Sequence, residues 1–142
     1  MYYSTSKPGG GNAVIEFVLE ARSGVAPYMQ IIQQVRYAMR LGVLKEGDKL
    51  PPVKEVVAKI AINPNTVSKA YRELEYEGLV AARAGLGTFV TRTLGADSLP
   101  RYEPLRKNLE RWMAEAVEAG LDDESIEALV ISTLRSFSEA RG

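Results

Sequence analysis

One face of a predicted helix near the middle of the chain carries the side chains with the clearest capacity for chemistry. They recur at intervals of three and four residues, which places them side by side on a helix. The set contains two cations, an amide and a hydroxyl but no carboxylate, so it can hydrogen-bond to phosphate oxygens and to base edges. Its members are Asn65, Ser68, Lys69 and Arg72. This pattern predicts contact with a nucleic acid.

A second stripe on the same segment is apolar and predicts the side that packs on a core. It consists of Val67, Ala70, Tyr71 and Leu74. Asn63 and Pro64 indicate where the helix starts, because Asn is a preferred N-cap and Pro is tolerated in the first turn. Gly78 follows its expected end at residue 77. A shorter amphipathic helix at about 53–60 precedes it. The pair predicts a helix-turn-helix whose second helix enters the major groove of DNA.

The elements around this pair complete a predicted winged-helix domain. Pro27 suits the start of a helix over about 28–42, and a β-rich run predicts a short strand at 14–19. Residues 79–83 and 88–92 predict two strands joined by a glycine-containing turn, which is the wing. The expected fold class is therefore mainly α with a small β-hairpin: a winged helix-turn-helix domain followed by a short two-helix dimerisation segment.

The rest of the chain predicts a linker at residues 93–102 and two helices within residues 103–142. Two such helices cannot bury both of their apolar stripes against each other, so we expect a homodimer interface here. The expected interface residues are Leu105, Leu109, Trp112, Met113, Leu129, Leu134 and Phe137. On this division residues 1–13 form a flexible N-terminal arm and residues 14–92 form the DNA-binding domain.

Composition excludes several other classes of function. The 142-residue chain has no Cys and no His, which removes thiolate chemistry, the usual general base near neutral pH and the commonest metal ligand. We therefore expect no enzyme, no metal site and no cofactor. No apolar run reaches the roughly 18 residues that a membrane span needs, and the first residues lack the apolar core of a signal peptide. The expectation is a cytoplasmic protein without membrane contact.

Charge is unevenly distributed, although the net charge is zero. Residues 1–92 carry 12 Lys and Arg against 8 Asp and Glu, whereas residues 93–142 carry 6 against 10. A basic front half and an acidic back half fit a DNA-binding module attached to a module that faces another protein.

Residues 27–90 resemble the DNA-binding domain of the GntR family of transcription factors. The resemblance rests on Pro27-Tyr28-x-Gln30-Ile31, Gly42-x-Leu44-x-x-Gly47-Asp48-Lys49-Leu50-Pro51, Asn63-Pro64-Asn65-Thr66-Val67, Ala70-Tyr71-x-Glu73-Leu74-Glu75-x-Glu77-Gly78-Leu79 and Arg83-x-Gly85-x-Gly87-Thr88-Phe89-Val90. The two-helix tail is similar to that of the family's YtrA-like branch, because other branches carry a much larger effector-binding domain. The resemblance implies a dimeric regulator, in most cases a repressor, that binds double-stranded DNA at a two-fold operator with its wing in the minor groove.

Five positions depart from the pattern usual in the family. Pro52 stands in place of a helix-capping Ser, and Lys54 in place of an Arg that contacts DNA. Lys54 keeps the charge but loses the two-pronged geometry of Arg. Ala61 replaces a turn Gly, Val57 replaces a small residue, and Ala84 replaces an Arg before the wing glycine. We therefore expect weaker phosphate contacts at positions 54 and 84.

The residue types and the resemblance together select the expected DNA contacts. These are Lys54, Asn63, Asn65, Thr66, Ser68, Lys69, Tyr71, Arg72, Arg83, Gly85 and Gly87. Simpler roles remain open for several of them. Lys69 could pair with Glu73, and Arg72 could pair with Glu75, because these acids lie four and three residues further on. Asn63 is a cap first, Tyr71 is mainly a core residue, and the two glycines could serve the turn alone.

Two alternatives to this interpretation remain open. A small apolar effector of unknown identity could lie between the tail helices and the front domain and change the spacing of the two recognition helices. A winged helix that serves only a protein partner would keep any DNA binding unchanged when Lys69 or Arg83 is replaced. The DNA-binding interpretation predicts a loss of about 1–3 kcal/mol for a base-contacting side chain.

Overall fold

The computed structural model of the chain describes residues 15–94 and 99–142. The chain divides into two compact units between Leu99 and Pro100. The arm expected over residues 1–13 lies outside the described residues. The elements are α1 (Pro27–Arg40), α2 (Val53–Ile60), α3 (Pro64–Tyr76), β1 (Val80–Arg83), β2 (Gly87–Val90), α4 (Leu99–Glu118) and α5 (Asp123–Arg141). Within the described ranges these are five helices and one antiparallel hairpin, so the predicted fold class is confirmed.

The core of the first unit lies where the apolar stripes of α1 and α3 meet. It includes the fully buried side chains of Ile31, Val35, Met39, Val67 and Leu74. Each such side chain removed from water contributes roughly 1.5–3 kcal/mol to folding, which is why the stripe on α3 must face inward. Its polar stripe is then left on the surface.

The turn between α2 and α3 is held by backbone conformation and by a cap. α2 ends at Ala61, whose φ of 50° lies in the left-handed region. This conformation costs a residue with a Cβ about 1–2 kcal/mol but costs glycine nothing. The cost explains why glycine is usual at this position in the family that residues 27–90 resemble. Asn63 then caps α3, since its Oδ1 accepts a hydrogen bond from the amide of Asn65 at 2.8 Å. The predicted capping role of Asn63 is confirmed.

The strand predicted at residues 14–19 is wrong for the described residues 15–19, which are extended but pair with no other strand. Two glutamine side chains of α1 take the place of a neighbouring strand. Gln34 accepts from the amide of Val18 at 3.0 Å and donates to the Val18 carbonyl at 2.6 Å. Gln30 makes the same pair of bonds with Glu20, at 2.8 and 3.0 Å. Ile15 and Phe17 of this extended segment are buried in the core.

Several element boundaries also differ from prediction. The first helix ends at Arg40 rather than at residue 42, and the strands cover 80–83 and 87–90 rather than 79–83 and 88–92. α4 begins at Leu99, so residues 99–102, which were expected to belong to the linker, are helical. Pro100 lies in the first turn of this helix, where the missing amide hydrogen costs little.

The second unit buries little of its apolar surface. No residue of α5 is buried, and Leu134 and Phe137 are 61% and 59% exposed. Asp122 caps α5 by accepting from the amide of Ser125 at 2.9 Å, and hydrogen bonds from Ser125 lower the pKa of the Asp122 carboxyl. In the part of the chain that the structure describes, no helix is both long and apolar enough to cross a membrane.

Candidate nucleic-acid interface

The polar face of α3 is open to solvent. Asn65, Lys69 and Arg72 are exposed, while Thr66 and Ser68 are half-buried beside them. The Oδ1 of Asn63 is engaged in the cap, which leaves the side-chain NH2 group of this exposed residue as the donor for an external partner. The helix N-terminus carries a partial positive charge, which favours an anion at this end.

The ion pairs proposed as simpler roles for this face are not formed. Among residues 15–94 and 99–142, neither Lys69 nor Arg72 forms an ion pair. The carboxylate of Glu75 instead accepts a hydrogen bond from the amide of Ala82 at 2.9 Å and so ties α3 to β1. Two cations on the face therefore have no ion-pair partner among the described residues.

Lys69 is held in place by an aromatic ring of α1. Its ammonium nitrogen lies 4.0 Å from the centroid of the Tyr28 ring, a cation–π contact. Further along, Arg36 of α1 forms an ion pair with Glu77. The first contact joins α1 to α3, and the second joins α1 to Glu77, which directly follows α3. Sequence periodicity could not predict this contact between Lys69 and Tyr28, because it does not show which ring will meet a lysine 41 residues away.

Tyr71 occupies the buried side of α3 rather than its open face. The Tyr71 hydroxyl donates to the carbonyl oxygen of Pro51 at 2.6 Å, and burial raises the pKa of this phenol. Its ring centroid lies 6.5 Å from that of Phe17. The hydroxyl hydrogen is thus engaged within the fold, where it fixes α3 to the segment that leads into α2.

Lys54 lies in the first turn of α2 and is exposed. Within the described residues it forms no ion pair, whereas Lys59 on the same helix lies 3.6 Å from a carboxylate oxygen of Glu16 and 3.5 Å from one of Glu55. Of the two lysines of α2, only Lys54 therefore has its charge unneutralised.

The wing presents Arg83 and its glycines on the surface. Arg83 is the cross-strand partner of Gly87, and its guanidinium carbon lies 4.9 Å from the centroid of the Phe89 ring. Gly85 has a φ of 75°, a left-handed conformation that a residue with a Cβ adopts only with strain. This glycine makes the tight turn and leaves its own backbone uncovered beside the exposed side chain of Leu86.

The residues expected at a dimer interface fall into two groups. An apolar groove of about 480 Å³ in the second unit is lined by Leu109, Trp112, Leu129, Val130, Thr133, Leu134 and Phe137. Leu105 and Met113 lie outside this groove. Among the lining residues, Val130 and Thr133 were not expected at the interface.

A helix-turn-helix whose second helix exposes unpaired cations, followed by a two-stranded wing, defines the winged-helix class of DNA-binding proteins. The sequence profile described as "Bacterial regulatory proteins, gntR family" matches residues 27–90. The HTH-type transcriptional repressor YtrA of Bacillus subtilis strain 168 is 37% identical over 109 residues, which is 76% of this chain and 84% of that protein. YhcF, an uncharacterized HTH-type transcriptional regulator of the same organism, is 32% identical over 112 residues, which is 79% of this chain and 89% of that protein.

A solved structure supports the same assignment. The crystal structure of a transcriptional antiterminator from Listeria monocytogenes EGD-e has a TM-score of 0.53 and 33% identity, with 82% of this chain and 88% of that chain covered. The chain therefore belongs to the GntR family, and it is a DNA-binding transcriptional regulator.

Proposed function

We propose that this regulator is a cytoplasmic repressor, without enzymatic activity, that binds a two-fold operator as a homodimer. α3 enters the major groove and the wing enters the minor groove. The observation that carries the proposal is the open face of α3, on which Lys69 and Arg72 have no ion-pair partner in the described chain. Exposed cations without an internal partner are free to neutralise DNA phosphates, and this neutralisation releases the counterions that surround the DNA.

The proposed contacts divide by their geometry. Side chains on α3 face base edges and phosphates, Lys54 and Arg83 face phosphates, and the wing glycines allow a close backbone approach. The contacting residues are Lys54, Asn65, Thr66, Ser68, Lys69, Arg72, Arg83, Gly85 and Gly87. Asn63 and Tyr71 position α3 through the cap and through the bond to Pro51.

The homodimer is supported by the exposed apolar groove of the second unit. Large apolar side chains such as Leu134 and Phe137 are left more than half exposed, which is typical of a surface that another protein covers. Pairing two second units would place two recognition helices about one turn of DNA, or ~34 Å, apart. The relative YtrA is named a repressor, which supports repression rather than activation by this protein.

Fluorescence anisotropy with DNA from upstream of the protein's own gene tests the proposal, using a scrambled duplex and two salt concentrations. Lys69→Met is expected to weaken the free energy of operator binding by about 1–3 kcal/mol, because the contact of the Lys69 ammonium with the major groove is removed. Lys107→Met removes the same charge from an exposed position on α4 and serves as the control. Equal, weak binding of the wild type to both duplexes would contradict the proposal and favour a winged helix that serves a protein partner.

Tyr28 gives a second prediction about the same face. Tyr28→Leu removes the ring that holds the Lys69 ammonium, so operator binding is expected to weaken by about 0.5–1 kcal/mol, less than for Lys69→Met. Tyr28→Phe keeps the ring and is expected to bind as the wild type does. In a Lys69→Met background Tyr28→Leu should have no further effect. An additive effect in that background would show that Tyr28 does not act through Lys69.

A further inference from the structure

The side chain of Lys49 crosses the wing at Gly87. A Cβ at Gly87 would lie 2.7 Å from Cε and 3.5 Å from Nζ of Lys49. Carbon atoms do not approach each other so closely, so the lysine stem fills space that only glycine leaves open. The ammonium group is thereby held beside the backbone of the hairpin, although Lys49 lies before α2 in the sequence.

The backbone around Lys49 is fixed to β2 by an isolated antiparallel bridge between Lys49 and Phe89. The amide of Leu50 donates to the carbonyl of Thr88 at 2.8 Å. The amide of Val90 donates to the carbonyl of residue 48, also at 2.8 Å. Successive side chains of an extended segment point in opposite directions, so the buried Leu50 turns Lys49 outward. The bonds to β2 therefore fix the point from which the long Lys49 side chain extends.

Arg83 lies on the same face of the wing. It is the direct cross-strand partner of Gly87 on β1, and side chains of such partners share one face of a hairpin. Its guanidinium lies over the ring of Phe89, which is itself paired with Lys49. An ammonium and a guanidinium are thus placed on one face of β2, the first beside Gly87 and the second over Phe89.

Neither cation is paired within the part of the fold that the structure describes. Lys49 and Arg83 form no ion pair among residues 15–94 and 99–142. Two acids of the neighbouring segments accept hydrogen bonds from backbone amides: Asp48 accepts from one in its own turn at 2.8 Å, and Glu75 accepts from one in β1 at 2.9 Å. In the described ranges, this face of the wing therefore carries two positive charges without an ion-pair partner.

The geometry points to a phosphate cradle, formed by Lys49 and Arg83 over Gly87, that holds one backbone phosphate of the bound DNA. This inference rests on the proposed DNA-binding function and adds a contact outside the helix-turn-helix pair. The ammonium acts as a compact point charge and the guanidinium as a planar donor, a combination that suits a tetrahedral anion. Gly87 leaves the room in which the Lys49 stem lies, so the ammonium group is held at the surface of the wing. A phosphate contact there carries no base information.

Lys49→Met is the first test, because methionine keeps the stem that packs on Gly87 and removes only the charge. Binding is expected to weaken on the order of tenfold, equally for the operator and for a scrambled duplex. The slope of log affinity against log salt should fall by about 1. Lys45→Met removes the same charge from the same turn, at an exposed position outside the cradle, and should leave the slope unchanged. Thermal unfolding of each variant checks that the fold is retained.

A combination of variants tests whether one phosphate is shared. Arg83→Met alone should weaken binding, and the double variant should lose less than the product of the two single losses, because both charges act on the same anion. Duplexes with a single methylphosphonate, scanned along the wing-facing strand, should include one position that weakens the wild type most, weakens Lys49→Met less and leaves the double variant unaffected. That position locates the phosphate.

The outcomes separate the inference from the function on which it rests. If the wild-type protein showed no salt-dependent DNA binding, both the proposed function and the phosphate cradle would be contradicted. Wild-type binding together with an unchanged salt slope in Lys49→Met would overturn the cradle alone and leave the proposed function standing. Losses that multiply in the double variant would also overturn the cradle, since the two cations would then contact separate phosphates.

Discussion

Replacing Phe17 by alanine is expected to lower the free energy of unfolding of the first unit by about 3–5 kcal/mol. The Phe17 ring is 6% exposed and lies against Tyr71, whose hydroxyl holds α3 to the segment before α2. Its removal leaves a cavity at the point where the extended segment, α2 and α3 meet. The size of the effect is notable because Phe17 precedes residues 27–90, the part of the chain that matches the family.

Urea denaturation followed by circular dichroism measures this change. Val18→Ala is the matched control, because Val18 is 42% exposed and its backbone bonds to Gln34 do not depend on its side chain. It should cost well under 1 kcal/mol, as surface substitutions usually do. A loss for Phe17→Ala no larger than that of the control would mean that the extended segment contributes nothing to the stability of the domain.

Replacing Leu134 by glutamate is expected to convert the protein to a monomer and to weaken operator binding about 10²- to 10⁴-fold. Leu134 is 61% exposed in the single chain and lines the apolar groove of the second unit, so a charge there is tolerated in the monomer. In a dimer, a second copy would cover the groove and bury the glutamate charge without a partner, at a high cost in free energy. Binding to a duplex with one half-site should not change, because each DNA-binding domain is intact.

Sedimentation equilibrium and anisotropy on full-site and half-site duplexes measure the two effects. Ser136→Glu places the same charge on an exposed position of α5 that does not line the groove, and it should remain dimeric. A wild-type chain that is monomeric at micromolar concentration would contradict the proposed homodimer. A Leu134→Glu variant that stays dimeric would move the interface away from the groove.

The small-molecule alternative makes a separate prediction for the same groove. A ligand that binds the folded state raises the unfolding temperature, so a metabolite panel can be screened by thermal denaturation. A hit that is lost in Leu134→Glu but retained in Ser136→Glu would assign the effector to the groove. Such a ligand would regulate DNA binding only if it bound the two dimer shapes with different affinity.

The sequence by itself determined the elements and their faces. The spacing of Val67, Ala70 and Leu74 and the Asn63–Pro64 pair were enough to predict α3 and its polar side, because a helix repeats every 3.6 residues and its ends need caps. Glycines and alternating strand residues likewise predicted the wing. These are local properties, because they depend only on residues that are close together in the sequence.

Tertiary structure alone decided which distant groups meet. The expected strand at 14–19 found no strand to pair with, and the amides of Gln30 and Gln34 satisfied its backbone instead. Lys69 met the ring of Tyr28 rather than the carboxylate four residues away, and Lys49 crossed to Gly87. Periodicity places a side chain on a face, but its partner depends on how separate elements pack, and that follows from the burial of the whole core.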